Sequence, residues 1–200
     1  MTSTPQRPGG RSARVREAVL AATAAELSER GFAAMTIEDI AARSGVHKTT
    51  IYRRWSTLSQ LVADAAVEVS ATTVPIPDTG SIESDLREMA RSIVALVTSE
   101  SGGALVAALF SDAVRTPEVA ALKREFYSAR YELADVVVRR AVERGDISEK
   151  VSAADLLAAV AAPIYYRLLV ADLPVDQSVA DRAAAGALAA ARAGALDQIE

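Results

Sequence analysis

The sequence predicts an all-α protein of about nine helices, a small N-terminal three-helix head on a larger helical body. Three observations carry this prediction. Turn residues cut the chain into helix-length pieces, apolar residues recur within them at helical spacing, and no apolar/polar alternation of strand type runs for a useful length. Half of the 200 residues are hydrophobic, enough to build a core, and no internal repeat is present.

The elements follow in order. Residues 1–10, MTSTPQRPGG, are polar with two prolines and two glycines and read as a disordered arm. Residues 11–30 form an alanine-rich helix stopped by Gly31, a residue suited to a left-handed cap. Thr36 opens a short helix ending near Arg43, Ser44-Gly45-Val46 makes a tight turn, and a second short helix covers 47–54. Residues 57–73 place Leu58, Leu61, Val62, Ala65 and Val69 on one helical face. The stretch 74–80, VPIPDTG, is the best linker.

Ser81 caps the next helix, whose stripe is Leu86, Met89, Ala90, Ile93 and Val97. Gly102-Gly103 and Pro117 bracket a short helix over 104–112. A long helix then runs to Gly145 with two apolar faces, one of Val119, Leu122, Phe126, Leu133 and Val137, the other of Tyr127, Tyr131, Ala134 and Val138. A helix apolar on two sides is expected at the centre of its domain. Ser152 and Asp155 have capping-box spacing at the start of helix 152–171, which Pro163 should kink. Pro174 separates it from a last alanine-rich helix, 176–194.

Charge divides the chain. Residues 1–60 hold nine basic and five acidic side chains, a balance of +4, whereas the rest holds 13 basic and 21 acidic, a balance of −8. The sign changes before the 74–80 break. The boundary is therefore expected near residues 55–60, with a head over 11–56 and a body over 57–200. A basic end on an acidic body points to a polyanion met by the head alone. The absence of cysteine excludes disulfide scaffolds, thiolate metal sites and cysteine nucleophiles, and one histidine excludes multi-histidine metal sites. No cofactor is expected. With no signal-type apolar run and no uncharged apolar stretch of membrane-spanning length, a cytoplasmic protein is expected.

Residues 36–55, TIEDIAARSGVHKTTIYRRW, carry the chemistry. Ala41, Gly45 and Ile51 stand four and then six residues apart, as a helix-turn-helix requires. A small residue lets the helices cross, glycine takes the left-handed turn, and a branched residue fills the gap. Ile37, Ile40 and Val46 complete a mini-core. The second helix then presents His47, Lys48, Thr49, Thr50, Tyr52 and Arg53 away from it, a donor set whose only charge is positive. Such a face suits a recognition helix in a major groove, with Lys48 reaching a guanine edge or a phosphate, the threonines a thymine methyl or a phosphate, and Tyr52 a phosphate.

Residues 14–65 resemble the DNA-binding domain of the TetR/AcrR-type bacterial transcriptional regulators. The resemblance rests on Gly31-Phe32, Thr36, Ile40-Ala41, Gly45-Val46, Ile51-Tyr52 and Trp55. It implies that Thr36 caps its helix and meets a phosphate, that Lys48, Thr49 and Tyr52 meet DNA, and that the body binds a small molecule and dimerises through its last two helices. Arg43 and Ser44, at the end of the first short helix, complete the candidate DNA-contacting set. Three residues depart from the family's usual pattern. His47 stands where a capping serine is common, Leu58 where a phosphate-binding lysine is common, and Leu27 where a phenylalanine is common. The nearby Arg53 and Arg54 can compensate for the lysine.

Other constellations are weaker. Glu38-Asp39 is adjacent on a helix, so its carboxylates diverge, and the remaining acids are scattered among arginines; an enzyme is not expected. Trp55 reads as a plug between recognition helix and body. Arg7, Arg11, Arg14 and Arg16 read either as a solvated helix start or as an arm along the DNA backbone. Candidate contacts for a hydrophobic or aromatic effector are Met89, Phe110, Tyr127, Arg130, Tyr131 and Tyr166, with Arg130 and Arg167 leaving room for one acidic group. Ala183, Gly186, Ala187, Ala190 and Gly194 form a small-residue face. With Leu156, Leu157, Val160, Ile164 and Leu168 it is expected to build a two-fold four-helix interface. The expected protein is thus a homodimeric, ligand-released repressor on a near-palindromic operator. The alternatives are a ligand-independent DNA-binding regulator and a helical small-molecule carrier.

Overall fold

In a computed structural model, residues 10–110 and 116–198 are described, without the side chains of Arg11 and Glu118. The expected arm, apart from Gly10, and the side chains of Arg7 and Arg11 lie outside the described residues. Among those residues the chain is helical throughout, with one isolated bridge between Val151 and Asp197 as its only extended pairing. The helices are α1 Gly10–Arg30, α2 Ile37–Ser44, α3 Lys48–Arg54, α4 Leu58–Thr73, α5 Ile82–Thr98, α6 Glu100–Phe110, α7 Pro117–Glu143, α8 Ala153–Tyr165 and α9 Gln177–Arg192.

Their ends follow from local chemistry. Gly31 adopts φ 72° after α1, and Gly145 adopts φ 77° shortly after α7, both left-handed values that glycine takes without a Cβ penalty. Thr57, Ser81, Thr116, Ser152 and Asp176 each cap a helix by accepting a backbone N–H three residues on, and Pro117 stands where α7 has no donor to lose.

The glycine pair Gly102-Gly103 does not bracket a helix. Both residues lie inside α6, and the chain turns before them, α5 and α6 being bent by 87° at Ser99. A Cβ on Gly102 would lie 2.3 Å from the Leu96 carbonyl oxygen, and one on Gly103 2.8 Å from that of Val97. The glycines serve close approach of α6 to the end of α5, not helix termination.

The long helix α7 is not the centre of the body. Leu133 and Tyr131, each expected on an apolar face, are exposed. The central helix is α5, which packs against α4, α6, α7, α8 and α9. Head and body also share an apolar cluster. Val19, Leu20, Leu27, Ile40, Ile51 and Trp55 run into Leu61 and Val62 of α4 and Leu105 of α6. The head therefore rests on α6 through α1 as well as on α4.

Leu156, Leu157, Val160 and Ile164, expected to face a second copy, are buried in the chain's own core, as are Ala183 and Ala187 of α9. The outward surface of this helix pair is made instead by Ala158, Ala162 and Pro163 of α8 and by Ala185, Gly186 and Ala189 of α9, all exposed. Gly194 lies in the turn beyond α9, at φ 74°. The expected disturbance at Pro163 takes the form of a π turn over Tyr166–Val170, where the α-helical ladder ends.

Candidate nucleic-acid interface and effector cavity

The head is fixed from its first turn. Thr36 Oγ1 accepts the Asp39 N–H at 3.2 Å, and the Asp39 carboxylate accepts the Thr36 N–H at 3.1 Å and its hydroxyl at 2.6 Å. These Thr36 bonds, joined by the charge of Arg30, hold the Asp39 carboxyl below its ordinary value. Gly45 takes φ 67° in the turn between α2 and α3. Ile40 and Ile51 are fully buried, with Ala41 and Val46 packed against the same cluster, so α3 crosses α2 in a fixed relation.

This packing turns His47, Lys48, Thr49, Tyr52 and Arg53 to solvent, with Thr50 half-buried. His47 occupies the N-cap of α3 but makes no capping bond, leaving its ring available. Lys48 stands 3.5 Å from Glu38, an exposed pair that phosphate can readily outcompete. Beside α3 an open cleft of about 740 Å³ runs between Ser12 and Val15 of α1 and His47, Thr50, Arg53 and Arg54. It is a surface concavity of the basic face, and its openness and charge suit a polyanion better than an enclosed apolar ligand.

Two expected contact residues are engaged within the protein. Arg43 gives its Nε to the buried Glu26 at 2.6 Å and a second nitrogen to Glu29, so it ties α2 to α1. Ser44 Oγ accepts the Val46 N–H at 3.3 Å inside the turn. Both hold the head together.

The far end of α3 is anchored by Trp55, which is buried and donates its indole N–H to Asp64 of α4 at 2.9 Å. Arg16 of α1 meets the same carboxylate at 2.6 Å and Glu68 at 2.5 Å. Arg54 lies over the indole, 5.5 Å from the ring centroid. Sequence reading found the plug but missed Asp64 and Glu68, and Arg16, read as part of a solvated helix start or a DNA-tracking arm, is instead tied to both acids. The available signal was the four-residue spacing of the two acids on α4, one turn apart.

In the body a small cavity of about 40 Å³, partly open to solvent, lies where α4, α5, α7 and α8 converge. Of the expected contacts it takes Tyr127 and Arg130, joined by Ser70, Val74, Phe126, Leu157, Ala161 and Tyr165. Met89 is buried in the core away from it. Phe110 is about half exposed and pairs with Tyr165 at 5.8 Å; Tyr131 is exposed, 6.2 Å from Tyr127; Tyr166 is 60% exposed on the π turn. The tyrosine at the void is thus Tyr165, not Tyr166. Leu157, Ala161 and Tyr165 recur every four residues on α8, and that phase marks the inward face.

Arg130 is almost completely buried and donates to the Val74 carbonyl at 2.7 Å. Val74 is the C-cap of α4, so this guanidinium sits at the negative end of that helix. Burial lowers the Arg130 pKa and raises those of Tyr127 and Tyr165, keeping both phenols neutral. Among the described residues no cluster of three or more potential metal ligands occurs.

Two segments of the chain match known families. Residues 19–65 match the family described as bacterial regulatory proteins, tetR family, and residues 76–187 match the tetracyclin repressor-like C-terminal domain. The HTH-type transcriptional regulator AqdR of Rhodococcus erythropolis is 37% identical over 142 residues, covering 71% of this chain and 68% of that protein. The HTH-type regulator YdeS of Bacillus subtilis is 27% identical, covering 81% of this chain and 82% of its own. The crystal structure of the TetR family transcription regulator SCO0332 superposes with a TM-score of 0.74 at 33% identity, covering 88% of this chain and 97% of that one.

Proposed function

The chain belongs to the TetR family of bacterial transcriptional regulators, and from that membership we propose that it is a homodimeric repressor released from its operator by a small molecule. Two α3 helices enter successive major grooves of a near-palindromic site. The observation that carries this reading is the exposed donor set of Lys48, Tyr52 and Arg53, whose only charge is positive, on a helix locked by Ile51 and Trp55. Lys48, Thr49 and Tyr52 contact bases and phosphates, Thr36 a phosphate, and His47, Thr50 and Arg53 extend the contact along the groove.

Dimerisation is supported by an unpartnered apolar surface. The segment Ala153–Val170 has a mean hydropathy of 1.5, yet only 22% of it is buried within the chain. Its charges, Asp155 and Arg167, argue against a lipid environment. A second copy, laying its α8 and α9 on this surface, covers it with the small residues of α9 in close approach. The α4 helix, with Trp55 held near its start and Arg130 at its end, carries effector binding to the head. The protein acts in the cytoplasm, where its DNA is, and does no chemistry on its ligand.

A gel shift with DNA from upstream of the gene and its neighbours tests the reading. Salt-sensitive, sequence-specific retardation is expected, with complexes of two chains per site. Absence of specific retardation by the dimeric protein overturns it.

A further inference from the structure

The strongest unassigned feature of the body is a cation with no anion. Arg130 is only 7% exposed and lines the void between α4, α5, α7 and α8. Its one hydrogen bond among the described residues is to a neutral acceptor, the Val74 carbonyl at 2.7 Å. A guanidinium carries five N–H donors, and a buried charge is ordinarily matched by a carboxylate. The other polar groups at the void are the hydroxyls of Ser70, Tyr127 and Tyr165, none of them acidic at neutral pH. The void's apolar wall is Ile93, Leu96, Phe126 and Leu157.

We propose that the effector is an organic anion, an aromatic or alicyclic body bearing one carboxylate or comparable acidic group that pairs with Arg130. The inference rests on the ligand-responsive reading above and specifies the chemistry of its site. The void of about 40 Å³ holds a water molecule or two, not an effector, so the site must widen to admit one. Phe126 and Tyr127, both half-buried on α7, are the side chains that swing away to admit the body of the ligand. Burial already lowers the Arg130 pKa, a desolvation cost that a bound anion offsets.

The pairing also explains why binding reaches the head. The C-cap carbonyl of α4 and the incoming anion share one guanidinium. A carboxylate accepts two parallel N–H bonds, the stronger arrangement, and it reorients Arg130 against Val74. The C-terminal end of α4 is then free to shift, and α4 carries Asp64 and with it Trp55 of the recognition helix.

A matched pair of fluorescent probes tests this: 8-anilinonaphthalene-1-sulfonate, and N-phenyl-1-naphthylamine, which is the same body without the sulfonate. Titrated into the full-length dimer, the sulfonate is expected to bind at least about tenfold more tightly, a ratio in line with one charged hydrogen-bonding pair. Arg130→Met should abolish that preference, read as the ratio of the two affinities within each variant; Arg130→Lys should retain part of it. Ala161→Leu, which fills the void, should weaken both probes. Thermal melts and operator retardation identify any variant that fails to fold, and Arg130→Lys then carries the comparison. Equal affinities in the parent, or a preference that survives Arg130→Met, overturns the anion proposal. If the neutral probe still binds and releases operator, the ligand-responsive reading stands without it. If operator is never released by either probe although both bind at the void, that reading fails, and the anion proposal with it.

Discussion

Asp64 accepts the indole N–H of Trp55 at 2.9 Å while the same carboxylate takes Arg16 at 2.6 Å. Three elements, α1, the end of α3 and α4, therefore meet on one side chain. At the other end of α4 the Val74 carbonyl is held by Arg130 of α7. The 16 residues of α4 span about 24 Å. The helix is thus fastened near its start to the end of the recognition helix and at its end to Arg130 beside the body's cavity.

Asp64→Ala should break the first fastening. The buried indole N–H loses its acceptor and Arg16 keeps Glu68 alone, which should lower unfolding free energy by about 1–3 kcal/mol. Asp64→Asn, able to accept the indole bond through its amide oxygen, should recover part of the loss. Operator affinity should fall in the same order. Urea melts and gel shifts measure both; an Asp64→Ala variant with parental operator affinity would show that α3 is positioned by its apolar core alone.

Lys48→Ala and Tyr52→Phe should weaken operator binding by about 1–3 kcal/mol each, since each removes a candidate base or phosphate contact. Both side chains are exposed, so stability should stay within about ±0.5 kcal/mol. Fluorescence anisotropy against labelled operator, paired with a melt, reads the two quantities. Parental affinity in both variants would mean that α3 does not read the DNA.

Arg43→Ala separates holding the head from touching the DNA. Lys48→Ala should flatten the dependence of log affinity on log salt by about 0.9, the value of one phosphate contact. Arg43→Ala should leave that slope unchanged while lowering the melting temperature, because Glu26 is buried and Arg43 bridges it to α2. A flattened slope for Arg43→Ala would return Arg43 to the set of DNA contacts.

The order and type of the helices were legible from caps and periodicity, because Gly31, Thr36, Gly45, Ser81, Ser152 and Pro174 act through their immediate neighbours. What was not legible depends on distant contacts. Gly102 and Gly103 look like punctuation in sequence, and only the 87° bend of α6 against α5 shows that they are there for lack of a Cβ. Arg43 looks like one more basic residue near a turn until α1 brings Glu26 and Glu29 to it. Tyr165 and Tyr166 are adjacent, and composition cannot choose between them; the four-residue phase with Leu157 and Ala161 does. The faces of α8 were misassigned for a related reason. Leucine and valine at helical spacing mark a buried face, but not whether the burying partner is the same chain or another.

Acid should destabilise the fold through several carboxyls at once. Asp39 is held low by Thr36, Asp176 by Ser178, Asp181 by Arg91, Asp146 by Arg144 and Glu29 by Arg43. A folded-state pKa below the unfolded value contributes stability that is present above the unfolded value, about 4, and lost as pH falls through the folded one. Melting temperature should therefore be nearly flat from about pH 7 to 5 and fall below about pH 4. Asp39→Asn should lower it at neutral pH and flatten part of the acid limb; an acid limb identical to the parent's would show that the Thr36 capping box contributes nothing to the pH dependence.

Gly186 separates folding from assembly. It lies in the interior of α9, where glycine is a poor choice by about 1 kcal/mol relative to alanine. It is exposed, and a Cβ there would meet nothing within 4 Å in the single chain. Within one chain this glycine therefore only costs stability. Its neighbours across the groove are Ala159 and Pro163 of α8, which with Ala183 and Ala187 form a strip of small residues bordered by Val179, Arg167 and Arg182. Such a surface lets a second helix pair approach closely, and a long charged side chain in its middle prevents that approach. Gly186→Glu should therefore keep or raise the helicity of the chain while shifting it from dimer to monomer, read by sedimentation at micromolar concentration. Operator binding should fall with it, since one head reads only half of a near-palindromic site. Gly186→Ala, adding one methyl group, should remain dimeric at higher concentration and show how close the approach is. A Gly186→Glu chain that sediments as a stable dimer would mean that the copies meet on another surface and that the exposed apolar face of α8 has a different occupant.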